Sequence, residues 1–271
     1  MRLDVNSFLG AYPFRRVPGT SADALLKAMD RTGVDEAWVS HLPSVFWRDP
    51  AAGNSWLYDT ARRFDRLRPV PAVHPGLSGW EQLVREARLA GAPAVRCDPP
   101  YYALDATGPE LRALVHQCGE ERVPLLMAVR LEDARQRHPN DRAGELPPWA
   151  VRTLIRMHPA VRFIVTHAER SFVEEVHFGS TPDEATRVWW DISWLWGPPE
   201  DHLQTLVRTI GASRFVFGTG QPLRLPEAAV AKLDLLDLTV EERAAIESEN
   251  VAAIAPSSGA RPMSPGPRVA T

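Results

Sequence analysis

Cysteine is scarce in this chain: of 271 residues, Cys97 and Cys118 are the only two, and they lack CxxC spacing. That excludes a disulfide framework and fits free thiols in a reducing cytoplasm. Strong charge is also lacking. A net charge of −3, with pI near 6.3, leaves no electrostatic footprint for nucleic acid or an anionic membrane surface. No apolar run approaches the roughly 18 to 20 residues of a membrane span, and MRLDVNSFLG has no basic stretch followed by an apolar core. A cytoplasmic protein acting on small molecules is therefore expected, with no nucleic-acid or membrane partner. No GxGxxG follows the first apolar run, which argues against an open dinucleotide-binding sheet. No internal repeat is present, which argues against a solenoid.

The sequence does contain a regular alternation. Short β-rich runs at 2–8, 36–41, 69–74, 93–98, 123–130, 161–167, 187–193 and 214–219 are separated by amphipathic segments. The helical patterns fall at 21–32, 54–65, 79–90, 109–121, 148–158, 199–210, 226–236 and 240–253. Four of them begin with proline, which is tolerated in a first helical turn because that N–H has no intrahelical partner. About eight strand–helix pairs predict an α/β fold, a (β/α)8 barrel in one domain over 1–255. The last sixteen residues, PSSGARPMSPGPRVAT, are rich in Pro, Gly and Ser and predict a disordered tail at 256–271.

Several stretches, in order, carry a family likeness: Asp4 to Gly10, RFIVTHA (162–168), WWDIS (189–193) and GASRFVFGTGQPL (211–223), with Asn250 beyond them. In these the chain resembles the amidohydrolase-related family of the amidohydrolase superfamily, as a divergent member. The resemblance implies a divalent metal, usually zinc, held by a first-strand His pair, histidines on middle strands and a last-strand Asp, with a metal-bound water as nucleophile. Here those positions hold Asn6, Phe8, Ala128 and Gly220, and His167 alone keeps a ligand-type side chain. Phe, Ala and Gly offer no side-chain donor, so the usual metal site is expected to be absent, with no metal or other cofactor in its place.

In a barrel of this kind the chemistry sits at the C-terminal ends of the strands. His41, His74, Cys97, Asp98, Arg130, His167, Glu169 and Asp191 fall there, and Arg15 and Arg16 follow the first strand. His167 and Asp191 are the expected catalytic pair, because an imidazole titrates near neutrality and a neighbouring carboxylate can orient it. Strand alternation places His167 on the face of Phe163 and Val165. Arg15, Arg16, His41, Asp98, Arg130 and Trp194 are the expected substrate-binding residues, the arginines because their planar forks suit a carboxylate. Phe8, Tyr12, Phe14, Trp47, Tyr101, Tyr102, Trp149, Trp194 and Trp196 crowd the same end.

Two functions fit. One is a metal-independent enzyme doing acid–base hydrolysis or lyase chemistry on a small carboxylate-bearing or cyclic substrate such as a lactone or amide; the superfamily includes metal-free lactonases. The other is a pseudoenzyme that binds a ligand or a catalytic paralogue. Either reading allows a homodimer or a complex with a paralogous barrel.

Overall fold

The computed structural model describes residues 1–255, so the expected tail lies outside the described residues. Eight strands run β1 (Leu3–Leu9), β2 (Glu36–His41), β3 (Leu67–Pro69), β4 (Val95–Arg96), β5 (Leu125–Ala128), β6 (Phe163–Thr166), β7 (Val188–Asp191) and β8 (Phe215–Val216). Neighbours in sequence pair in parallel, as β1-β2-β3 and as β4 through β8. Backbone bonds join the two sets. At one seam Arg96 N–H donates to Pro71 O (2.8 Å) and Val73 N–H to Arg96 O (2.7 Å). At the other, Val5 N–H donates to Phe217 O (3.0 Å) and Gly220 N–H to Asn6 O (2.8 Å). The result is a closed eight-stranded barrel in a single domain.

β3 begins before its expected run 69–74 and meets it only at Pro69, and β4 is shorter than the run 93–98. Proline cannot donate to a ladder, and Pro69 and Pro71 break the first run, leaving the isolated bridge Ala72–Arg96 at the first seam.

The outer ring comprises α1 (Ala22–Thr32), α2 (Ala51–Ala61), α3 (Trp80–Leu89), α4 (Pro109–Glu121), α5 (Pro148–Ile155), α6 (Arg170–Phe178), α7 (Pro182–Ala185), α8 (His202–Ile210) and α9 (Pro226–Leu235). Ser21 caps α1 by accepting from Ala24 N–H, and Gly33 ends it in the left-handed region. Helix α6 is absent from the sequence expectation. It has no proline start, but Phe172, Val173 and Val176 supply a buried stripe at helical spacing.

The last expected helix, 240–253, is interrupted. α10 (Val240–Ala244) and α11 (Asn250–Ile254) flank a π-helical turn, Ala245–Glu249. The turn presents Ile246 O to Phe217 N–H (2.9 Å), and Asn250 Nδ2 donates to Phe215 O (2.7 Å), so this segment closes the end of β8.

Two apolar layers result. Val5, Trp38, Val70, Ala94, Leu126, Ile164, Trp189 and Val216 fill the barrel interior, with Val251 and Ile254 beneath them. Alternate strand residues, among them Phe163 and Val165, pack outward against the helices.

Candidate active site

Two departures from strict alternation build the mouth. β1 shifts register between Asp4 and Ser7, so Asn6 and Phe8 turn inward although Val5 is already an interior residue. His167 follows the outward-facing Val165, and it reaches the interior through a left-handed backbone, φ +59°. The expectation that His167 shares a face with Phe163 and Val165 is thereby corrected: the backbone turn, not alternation, aims the ring. A non-glycine residue in this region is strained by roughly 1 to 2 kcal/mol. Here two bonds hold it: His167 N–H donates to Asp191 Oδ1 (3.0 Å), and the ring Nδ1 lies 2.6 Å from Arg130 O.

A carbonyl can only accept, so Nδ1 carries the ring proton and Nε2 keeps a lone pair. Asn6 Nδ2 lies 2.9 Å from that lone pair and 2.8 Å from Asp191 Oδ2. The two amide hydrogens of Asn6 therefore bridge the imidazole and the carboxylate. Ser193 Oγ donates to the same Asp191 oxygen at 2.7 Å. Gly218 leaves room for the bridge, because a Cβ there would stand 2.6 Å from Asp191 Oδ2 and 3.2 Å from Asn6 Cβ. Gly220 sits beside it; a Cβ would be 3.5 Å from His167 Nε2.

The second cation-bearing element is Arg96, which sequence reasoning missed. Its guanidinium lies 4.3 Å above the Phe8 ring, grips Asp98 through two bonds (2.7 and 3.2 Å), and reaches Asn6 Oδ1 at 3.5 Å. Arg96 and Asp98 are each about 1% exposed. Their i, i+2 spacing on one strand face was the signal available in VRCDPP. Burial, with the charges of Arg96 and Arg224 next, pushes the His167 imidazole well below its ordinary range. Burial raises the Asp191 carboxyl, against the hydrogen bonds from Ser193, His167 N–H and Asn6. The imidazole is neutral and its lone pair is engaged.

Phe8 and Ala128 belong to an apolar plug with Tyr12, Leu42, Val45 and Leu131. Beside it, Trp194 leans on His167 (ring centroids 5.5 Å) and carries Arg224 at 3.8 Å and Arg130 at 5.4 Å. Arg130 is paired with Glu169 and with Glu145 (2.9 Å). Arg224, also missed from sequence, is half-buried, and no acceptor among the described residues bonds its guanidinium. The buried Trp194 Nε1–H likewise has no partner among them.

The remaining expected residues go elsewhere. His41 is held by Ser44 Oγ (2.8 Å) between Trp47 and Trp56, and burial lowers it to about 4. Arg15 pairs with Glu132 (2.9 Å), and Arg16 is exposed. Asp98 has both oxygens on Arg96. His74 stacks on Tyr102, and Cys97 and Cys118 are buried free thiols.

These residues do not fit a divalent metal at the centre. The usual ligand positions carry an amide, a phenyl ring, a methyl and a glycine, and the amide already satisfies the two donors that remain. His167, Asp191 and Asp98 do not form a three-ligand group among the described residues.

The amidohydrolase family profile matches residues 11–254. The chain belongs to the amidohydrolase family. No curated protein matches this amidohydrolase-family chain by sequence. In fold it is similar to 5-carboxyvanillate decarboxylase from Sphingomonas paucimobilis (13% identity, TM-score 0.73, 93% of this chain and 98% of that one). It is similar to a dihydroxybenzoic acid decarboxylase from Polaromonas sp. JS666 with bound manganese and 2-nitroresorcinol (13%, 0.71, 93% and 96%). A third likeness is to a probable 2-pyrone-4,6-dicarboxylic acid hydrolase from Acinetobacter baumannii with citric acid bound (12%, 0.62, 93% and 98%). At these identities the likeness is one of fold. Among the described residues no helix is long and apolar enough to cross a membrane.

Proposed function

We propose that this amidohydrolase-family barrel binds a small carboxylate-bearing, ring-containing molecule at its mouth without a central metal. Trp194 and Arg224 are the contact surface, and Asn6, His167 and Asp191 form the polar floor beneath. The observation that carries the reading is the Asn6 amide between His167 Nε2 and Asp191 Oδ2, which takes the place of an ion. Arg224 supplies the reason for a carboxylate: a half-buried guanidinium with no acceptor among the described residues, lying over an indole whose N–H is also unmet among them. The solved relatives named above act on or hold carboxylic acids, which supports the ligand class.

A hydrolytic reading requires a base to activate water, and the geometry disfavours one, since the His167 lone pair is already accepting a hydrogen bond. One observation favours retained catalysis of another kind, of which lyase chemistry is the type that needs no activated water. His167 is held in a strained left-handed backbone at the site, as catalytic residues often are. In that second reading His167→Gln abolishes turnover of the bound acid and leaves its binding intact.

The test of the main reading is calorimetric titration with 2,6-dihydroxybenzoate and, in parallel, with resorcinol, which has the ring without the carboxylate. The acid is expected to bind and resorcinol at least about tenfold more weakly, and Arg224→Ala should cost the acid about 10- to 100-fold, the worth of a charged hydrogen bond. Equal binding of acid and resorcinol, or an unchanged Arg224→Ala variant, contradicts it.

A further inference from the structure

At the opposite end of the barrel, three ligand-type side chains meet between α4 and the turn after α5. His116 and Glu120 stand one helical turn apart on α4, and His158 lies three residues beyond the end of α5. One ligand atom from each lies within 4.8 Å of the other two. His158 Nε2 is 2.8 Å from Glu120 Oε1, and the His116 and His158 rings are 5.2 Å apart. The chain from α4 enters β5 and the turn with His158 enters β6, so the cluster sits at the N-terminal face of the strands, remote from the mouth.

Two features show that the cluster is built. Gly119 interrupts the last turn of α4, at a cost of about 1 kcal/mol relative to alanine. A Cβ there would stand 2.1 Å from His158 Nδ1, so glycine is what admits the ring against the helix. Arg187 Nη1 then fixes the turn by donating to Ile155 O (2.7 Å) and His158 O (2.9 Å). His158 is mostly buried and pre-ordered, while His116 and Glu120 are exposed and give an ion access from solvent.

We propose that His116, Glu120 and His158 form a zinc site that ties α4 to the α5–β6 turn. Two imidazoles and a carboxylate suit zinc, with a fourth position left for water, whereas magnesium and calcium ask for oxygen ligands throughout. Binding requires the exposed His116 ring to swing in, because donors on one zinc lie closer than 4.8 Å. It also costs the bond from Ala160 N–H to His158 Nδ1, already long at 3.2 Å, since metal on Nε2 moves the ring proton to Nδ1.

The experiment is calorimetric titration of the chelator-treated full chain with zinc chloride, with magnesium chloride as control, alongside thermal melts. One zinc per chain is expected, magnesium not binding, and at a hundredfold excess over Kd the melting temperature should rise by roughly 5 °C. His116→Ala, Glu120→Gln and His158→Ala should each weaken zinc at least about tenfold, and His167→Gln should leave it unchanged. His116 is exposed, so its variant decides the matter even if His158→Ala fails to fold. Absence of binding, equal binding of magnesium, undiminished binding by His116→Ala, or loss of zinc in His167→Gln overturns the proposal.

Discussion

Asn6 carries two hydrogens on one nitrogen and directs one to an imidazole, the other to a carboxylate. Burial, with the charges of Arg96 and Arg224, keeps the His167 ring beside it neutral, and the neutrality has a pH signature. Below about 6.5, the ordinary histidine value, the unfolded chain takes up a proton that the folded His167 refuses, so this residue's contribution to stability is complete above 6.5 and declines as pH falls. The buried Asp191 carboxyl, raised by desolvation, acts in the opposite sense: its contribution is present at acid pH and is lost as pH rises through its folded pKa. Comparing wild type with His167→Gln isolates the histidine. The stability advantage of wild type is expected to shrink by about 1.4 kcal/mol between pH 7.5 and 5.5 in denaturant titrations. A difference that stays constant means that the folded imidazole titrates as it does in the unfolded chain. Asn6, Phe8, Ala128, Gly220 and His167 were legible at this scale because the family pattern marks them. Arg96 was missed although its spacing from Asp98 marked it, and Arg224 was not legible because nothing local shows which arginine lies over an aromatic ring once the chain has closed.

One side chain of β1 reinforces the backbone bonds that close the barrel. Asp4 accepts from Asn6 N–H (2.9 Å) and Thr219 N–H (3.0 Å) through Oδ1, and from Ser7 Oγ (2.5 Å) and Thr219 Oγ1 (2.6 Å) through Oδ2. Its four bonds hold the irregular part of β1 against the segment that follows β8, the irregularity that turns Asn6 and Phe8 inward. Asp4→Ala leaves two buried N–H groups and two hydroxyls without acceptors, and is expected to cost about 3 kcal/mol or more. The melting temperature should then fall by roughly 5 to 10 °C in scanning calorimetry, and a fall under about 2 °C contradicts this role. The strands were legible as apolar runs in the right order, though β3 lies earlier than its run, meeting it only at Pro69, and β4 is shorter than its run. Helix α6 was not among the expected helices, although Phe172, Val173 and Val176 give it a buried stripe at helical spacing. The bulge in β1 and the left-handed turn at His167 could not be read from periodicity, since each is a break in it.

At the scale of the whole molecule, the amidohydrolase-family chain closes into a (β/α)8 barrel, and hydrogen-bonded side chains fill the centre of its mouth. An organic cation, Arg96, stands over Phe8, and an amide joins the two remaining ligand-type groups. The alternation of strand and helix made the fold legible, because each parallel strand needs a crossover helix to return the chain. The side chains at Asn6, Phe8, Ala128 and Gly220 could be read as residue identities. How Asn6, Arg96, His167 and Asp191 meet could not, because it depends on side chains from β1, β4, β6 and β7 coming together in space. The most direct measurement is anomalous diffraction at the zinc and manganese edges from crystals grown with both ions. No anomalous peak is expected in the space between Asn6, His167 and Asp191, whatever occupies the far end of the barrel; a peak within about 2.3 Å of His167 Nε2 overturns the metal-free reading.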